Sequence, residues 1–445
     1  MSDGAASIPT SSPAPRANVR WLVVTLVFAV AAVSYLDRNN LSIAAASIKS
    51  EFHLSDVQLG GVFSAFALGY AVSQPIAGRI ADAVGGYRVV AFAIVWWSLF
   101  TALTPLVPTG LPQSLAILVG VRFLLGVGEA IIFPAGNRLT ASWIPSRERG
   151  LASGLIFAGV GVGGAIAPPL ITYVSLMFGW RWAFYGSALI GLVAGAVWLL
   201  LVRDRPEKHP RLGPEELAYI QAGTGALDAG PAPRVGWGRI IGDRQVALLT
   251  LSYFCYGYVA YVFFTWFFTY LSTVRGLNLK SSALYATLPF LAMMIASVLG
   301  GVVSDRLAAR FGKRIGRCGV AVFGMTLAAV FVAMATQVAD VRLAAIVLAG
   351  GAGALYLAQS AFWALSADIG GRASGAVSGV MNMGAQIGGV VTATATAVIA
   401  HKFGWTASFL STAAICLFGA VLWLFVDPHH RLALDHADAQ PPART

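Results

Sequence analysis

The feature that most constrains this chain is a succession of twelve apolar runs, each about 18 residues or longer and so able to cross a bilayer as a helix. Their approximate limits are 21–43, 56–77, 88–107, 113–137, 150–175, 182–202, 245–272, 283–304, 317–337, 341–365, 376–400 and 405–426. Backbone inside hydrocarbon must satisfy its own hydrogen bonds, so runs of this length are expected to be helical. The 445 residues are 57% hydrophobic and only 11% charged, with a mean hydropathy of +0.74, whereas soluble domains carry about 25% charged residues. The composition implies an all-α polytopic membrane protein, its 49 glycines placed largely where small residues let helices approach closely.

Charges inside such runs need a reason. The fourth run, Ala116 to Asn137, reads as one helix carrying Arg122 and Glu129. A charge at mid-membrane costs about 2.5 to 3.5 kcal/mol on the insertion scale. Residues seven apart return to the same helix face, about 10 Å apart along the axis, so both side chains are expected to face protein or water rather than lipid. The first run ends in Tyr35-Leu36-Asp37-Arg38-Asn39-Asn40-Leu41-Ser42. Counting from Trp21 puts Asp37 about 24 Å along its helix, a depth comparable to that of Arg122 on the opposite-running fourth run, which makes an Asp37–Arg122 contact a geometric expectation. The second half has no charge in the body of any run and offers neutral groups instead: Tyr253, Tyr256, Tyr261, Gln359, Ser360, Trp363, Asn382 and Gln386. This asymmetry suggests that the first half handles charge and protons while the second supplies hydroxyl and amide groups to a polar body.

The formal charge of +11 reflects topology. Of the 30 lysines and arginines, 22 fall on the side that holds the amino terminus and six on the other, with Arg38 and Arg122 inside runs. That bias places both termini in the cytoplasm and argues against nucleic acid as a partner. Cys255, Cys318 and Cys416 are scattered and read as packing residues, and no histidine lies near the middle of a run. Neither a metal site, a cofactor site nor an intramembrane catalytic cluster is expected. Gly159, Gly161 and Gly164 satisfy a dinucleotide-type pattern, but no strand precedes them, and they read as helix-packing positions.

A repeat organises the chain. Gly78-Arg79-Ile80-Ala81-Asp82-Ala83-Val84-Gly85-Gly86-Tyr87-Arg88 follows the second run, and Gly301-Val302-Val303-Ser304-Asp305-Arg306, with Gly312-Lys313-Arg314, follows the eighth. Small residue, acid at a helix end, glycine turn and cations recur at equivalent places, implying two six-helix halves related by an axis along the membrane normal. The expected organisation is a disordered tail over 1–19, a bundle over 20–203, a linker with a short surface helix over 204–244, a second bundle over 245–427 and a tail over 428–445.

At Gly78, Asp82, Gly86 and Arg88, with the weaker copy at Asp305 and Arg306, the sequence resembles the major facilitator superfamily. The resemblance implies that this loop latches the two halves as the protein changes state. A finer resemblance, over nearly the whole chain, is to the anion:cation symporter branch, which includes hexuronate, galactonate, glucarate and phthalate carriers. It rests on Tyr35 to Ser42, Arg122 to Gly150, His209 to Ile220, Trp266 with Thr269-Tyr270-Leu271, and Trp363 to Asp368. Phe268 and Ala393 depart from it, standing where many relatives have proline. The resemblance implies that Arg38 receives a substrate carboxylate and that Tyr35, Tyr70, Trp363 and Asn382 line the site, to which the neutral-residue pattern adds Gln359. Asp37 and Glu129 are the protonation candidates, with Arg122 moving between them. The expected function is proton-coupled uptake of an organic anion, a sugar acid ahead of an aromatic or dicarboxylic acid, by a monomer in a bacterial inner membrane. A sodium-coupled or uncoupled facilitator is the alternative.

Overall fold

The computed structural model describes residues 19–224, 235–267, 270–271, 275–276 and 279–432. The expected tails over 1–19 and 428–445 lie almost wholly outside these, as do Phe268 and Thr269.

The first bundle contains α1 (Val19–Glu51), α2 (Asp56–Val84), α3 (Gly86–Leu103), α4 (Ser114–Glu129), α5 (Ile132–Trp143), α6 (Arg149–Phe178) and α7 (Trp180–Leu201). Two short helices, α8 (Pro214–Thr224) and α9 (Trp237–Gly242), connect it to α10 (Arg244–Tyr261), α11 (Leu279–Phe311), α12 (Val320–Ala335), α13 (Val341–Gly370) and α14 (Ser374–Leu422). Within the first bundle α1 packs on α6 and α7, and α2 on α4; within the second α10 packs on α14, and α11 on α13. The bundles meet along two seams, α6 against α11 and α2 against α14.

Among the described residues, eleven stretches are long and apolar enough to cross a membrane. One of them, Val341–Thr392, has 52 residues, about 78 Å as a helix, far more than a bilayer core of about 30 Å. It breaks at Gly371, whose φ of 50° ends α13, and α14 is itself divided at Gly404, with φ 85°. The divisions resolve twelve crossings.

Three boundaries differ from the sequence reading. The fourth crossing is two helices rather than one, with a turn at Ala130–Ile131 directly after Glu129. Pro134 has no N–H to bond the carbonyl of residue 130, so the helix cannot run through unbroken. The first helix already includes Val19, inside the expected tail, and Glu216 of α8 accepts from the main-chain N–H of Val19 (3.1 Å) and of Arg20 (3.2 Å). Helix α10 starts at Arg244, inside the expected linker, where the Asp243 carboxylate accepts from the N–H of Gln245 and Val246 and so caps it.

The linker helix is therefore docked rather than lying free on the surface. Glu216, 1% exposed, also accepts from Arg20 Nη1 at 2.9 Å, and Arg20 Nε pairs with Glu148 at 2.9 Å. The Tyr219 hydroxyl donates to the same Glu148, and burial together with that carboxylate pushes its phenol above the ordinary range. Removing one partner of a buried pair costs about 3–5 kcal/mol. Glu216→Ala is thus expected to lower the melting temperature of the purified protein by several degrees, read by intrinsic fluorescence, while Glu215→Ala, at an exposed position, leaves it unchanged.

Candidate functional site

Four ionisable side chains sit inside the first bundle, and all face protein. Asp37 and Arg122 are 2% exposed and Glu129 is fully buried. Arg38 donates from Nε (3.3 Å) and Nη2 (3.1 Å) to one oxygen of Glu129, Oε2, which also accepts from Ser34 Oγ at 3.3 Å. The other oxygen, Oε1, has no hydrogen-bond partner. The Arg38 guanidinium lies 4.6 Å from the ring centres of Tyr35 and Tyr70 and 5.0 Å from that of Phe66, cation–π contacts that steady a charge held away from water. Arg122 stands 5.0 Å from the same Phe66 ring, with Nε and Nη1 unpartnered.

The expected Asp37–Arg122 contact is not made: the described residues contain no hydrogen bond or ion pair between the two. Asp37 instead accepts from the Thr101 hydroxyl and from Asn40 Nδ2 (2.9 Å), and Ser187 Oγ donates to Asn40 Oδ1 (3.3 Å). Equal depth on two helices does not fix azimuth, and Asp37 turns into the seam where α1 meets α3 and α7. The acids thus occupy separate environments, Glu129 against a cation and Asp37 among neutral donors.

A central cavity of about 40 Å³ lies between the bundles, lined by Tyr35, Tyr70, Gln359 and Asn382 together with Tyr253, Tyr256, Tyr261 and Gln386. It is room for one or two waters. Arg38 reaches it through the two tyrosine rings on which it stacks. Trp363 stands behind the lining: its Nε1 and Gln359 Nε2 each donate to the Tyr253 hydroxyl at 2.8 Å, and its ring packs on Phe133 and Phe157 at 5.8 and 5.0 Å. The Tyr256 hydroxyl and Gln359 Oε1 are left without partners, so a polar guest would meet unsatisfied groups. Ser34 and Phe66 lie outside the residues the sequence points to, whereas Tyr253 and Tyr256 belong to its neutral groups without being assigned to the site. The three-residue spacing of the two tyrosines on one helix face was the available signal.

At the basic side of the membrane the bundles are clasped by two matching contacts. Asp82, at the end of α2, accepts from the N–H of Gly375 (2.9 Å) and Ala376 (2.7 Å) at the start of α14, and Asp305, near the end of α11, accepts from Gly150 (2.9 Å) and Leu151 (2.6 Å) at the start of α6. Each carboxylate caps a helix of the opposite bundle, where four N–H groups lack intrahelical partners. The fit needs bare backbone, for a Cβ on Gly78 would come within 2.0 Å of the Gly375 carbonyl oxygen. Gly86 packs on Ala135 and Leu139. Arg138 lies 3.8 Å from Asp82, and Arg317 lies 2.6 Å from Asp305. Arg88 and Arg306, expected in the latch, are exposed, and neither makes these cross-bundle bonds. Asp368 adds a third clasp, joining Arg149 and Ser146 of the first half with Lys313 of its own. On the opposite side, a void of about 1590 Å³ among α2, α4 and α14 shares Tyr261, Phe264 and Gln386 with the central cavity. The structure is closed at the basic face.

Two bundles of membrane-crossing helices around one buried polar centre, clasped at one face, define a carrier. The family model described as Major Facilitator Superfamily matches residues 27–311 and 307–443. The chain is 34% identical over 415 residues to the probable sulfoacetate transporter SauU of Cupriavidus necator, covering 93% of this chain and 95% of that one. It is 32% identical over 417 residues to the probable galactarate/D-glucarate transporter GudP of Escherichia coli, covering 90% of each, and 29% identical over 412 residues to the hexuronate transporter of Bacillus subtilis, covering 91% and 94%. The fold matches the proton:xylose symporter XylE with a TM-score of 0.75 at 15% identity, over 93% of this chain and 98% of that one. The chain belongs to the major facilitator superfamily, in its anion:cation symporter branch, and is a transport protein rather than an enzyme.

A carboxylate at a helix amino terminus contributes about 0.3–2 kcal/mol, or about two- to thirty-fold in a two-state equilibrium. Asp305→Asn is expected to raise maleimide labelling of a reporter cysteine placed at Ser366, buried in the clasp, by a factor in that range. Unchanged labelling would remove the carboxylate from the latch.

Proposed function

We propose that this protein is a proton-coupled symporter for an organic carboxylate, a sugar acid such as a hexuronate, aldonate or aldarate, working by alternating access in a bacterial inner membrane with both termini in the cytoplasm. The observation that carries the reading is the position of Arg38, paired with a fully buried Glu129 on one side and stacked on cavity-lining tyrosines on the other. Its guanidinium is a fixed charge with a forked donor set suited to a carboxylate. A substrate acid that takes the fork leaves Glu129 with no counter-charge in a buried place, at a cost of several kcal/mol, which a proton on Glu129 removes. Anion binding and proton uptake are then one exchange on one arginine. Tyr253, Tyr256, Gln359 and Asn382 offer hydroxyl and amide groups to the rest of the guest, and relatives named for galactarate, glucarate and hexuronate transport support an acidic, hydroxylated one.

Asp37 serves as a second protonation site in this scheme, and Arg122, whose Nε and Nη1 have no hydrogen-bond partner, is the cation that moves between the two acids. One proton with one monoanion responds only to the pH gradient, about 1.4 kcal/mol per unit, whereas two protons add about 2.3 kcal/mol per 100 mV of potential. The site is complete within one chain, so a monomer suffices.

Uptake of labelled glucuronate, galactonate and galactarate into proteoliposomes, with and without an inward pH gradient, tests the reading. Losing one partner of a desolvated charge pair costs about 2–5 kcal/mol, so Arg38→Ala is expected to weaken binding about thirty-fold or more. Glu129→Gln is expected to keep counterflow exchange and lose gradient-driven accumulation. Normal accumulation by Glu129→Gln would show that Glu129 is not the coupling acid, whereas wild-type uptake indifferent to the pH gradient would favour a sodium-coupled or uncoupled facilitator.

A further inference from the structure

A second polar cavity, of about 370 Å³, opens at the basic face of the first bundle, well away from the central site. Its walls are the end of α2, the start of α3, the end of α5 and the chain just beyond α7. Five cations line it, Arg88, Arg138, Arg203, Arg205 and Lys208, against two acids, Asp82 and Asp204. The cations outnumber the acids, and both acids also accept from main-chain N–H groups. Asp82 caps α14 across the bundle seam, and Asp204 accepts from the N–H of Tyr87 at 2.7 Å, closing over the loop at Gly85, where φ is 103° and a Cβ would come within 2.3 Å of its carboxylate. Burial pushes the Asp204 carboxyl above the ordinary range.

The cavity is flanked by surfaces that face the bilayer. Ile80 and Val84 of α2 are 45% and 50% exposed on one side, and Leu199 and Leu200 of α7 are 47% and 73% exposed on the other. A concave cluster of guanidinium and ammonium groups between two apolar strips suits a ligand with a multiply charged oxyanion head and hydrocarbon tails.

We propose that this cavity binds a phosphoryl anion, supplied by the headgroup of an anionic phospholipid in the adjoining leaflet. The arginine forks hold the phosphoryl oxygens while the acyl chains lie along the exposed leucine and isoleucine strips. Arg138 connects the occupant to the clasp, since it lines the cavity and stands 3.8 Å from Asp82. Lipid composition then bears on how firmly the basic face stays shut.

The full-length protein in nanodiscs of phosphatidylcholine alone, or of phosphatidylcholine with phosphatidylglycerol, tests this by thermal melting. The wild type is expected to melt several degrees higher with phosphatidylglycerol. Arg203→Gln/Lys208→Gln should lose at least half of that shift, while Arg310→Gln/Arg431→Gln, which removes two exposed cations of the second half, should keep it. A parallel arm adds glycerol phosphate to the phosphatidylcholine discs. A shift there that Arg203→Gln/Lys208→Gln abolishes, with none from phosphatidylglycerol, overturns the lipid as the source while upholding the phosphoryl site. No shift from either probe, or equal shifts in both double variants, overturns the site itself.

Discussion

One buried ion pair sets the terms for the rest of this molecule. Arg38 and Glu129 lie where water is scarce, and neither can lose its partner without a replacement or a change of charge. That constraint explains the aromatic shell around Arg38, since tyrosine and phenylalanine faces hold a cation without offering it a second permanent counter-ion. The unpartnered Oε1 of Glu129 leaves the pair incompletely satisfied, and Arg122 has Nε and Nη1 unpartnered as well, a condition suited to exchange rather than to permanent cross-linking.

The clasp at the basic face uses different physics. Its carboxylates meet the amino-terminal ends of helices from the opposite bundle, so parting the bundles as proposed would break these bonds together, with little rearrangement inside either one. The arrangement is repeated in both halves, with Asp82 on α14 and Asp305 on α6. A few such bonds suit a gate that must also open. The central cavity lies beyond this clasp, next to the large void that reaches the opposite side.

Much of this was legible in the sequence because the bilayer allows so few solutions. Runs of apolar residues could only be helices, and Arg122 and Glu129 on one face could only point inward. For the glycine–acid–glycine loop at Gly78 to Gly86 the family resemblance implied a latch, and the structure sets Asp82 of that loop against the start of α14. What escaped was azimuth and partnership. Depth along two helices suggested that Asp37 meets Arg122, yet Asp37 bonds Thr101 and Asn40, and Arg38 takes Glu129. The break after Glu129 was written in Pro134 but masked by continuous hydrophobicity. The docking of Glu216 onto the first turn of α1 spans nearly two hundred residues, and no local pattern announces it.

The idea that a substrate acid and Glu129 compete for one guanidinium has a direct thermodynamic signature. Binding of a sugar acid to the purified protein, followed with a pH indicator in weakly buffered solution near neutrality, should draw about one proton from solution per anion bound. Binding with no proton taken up, or with protons released, would contradict the account.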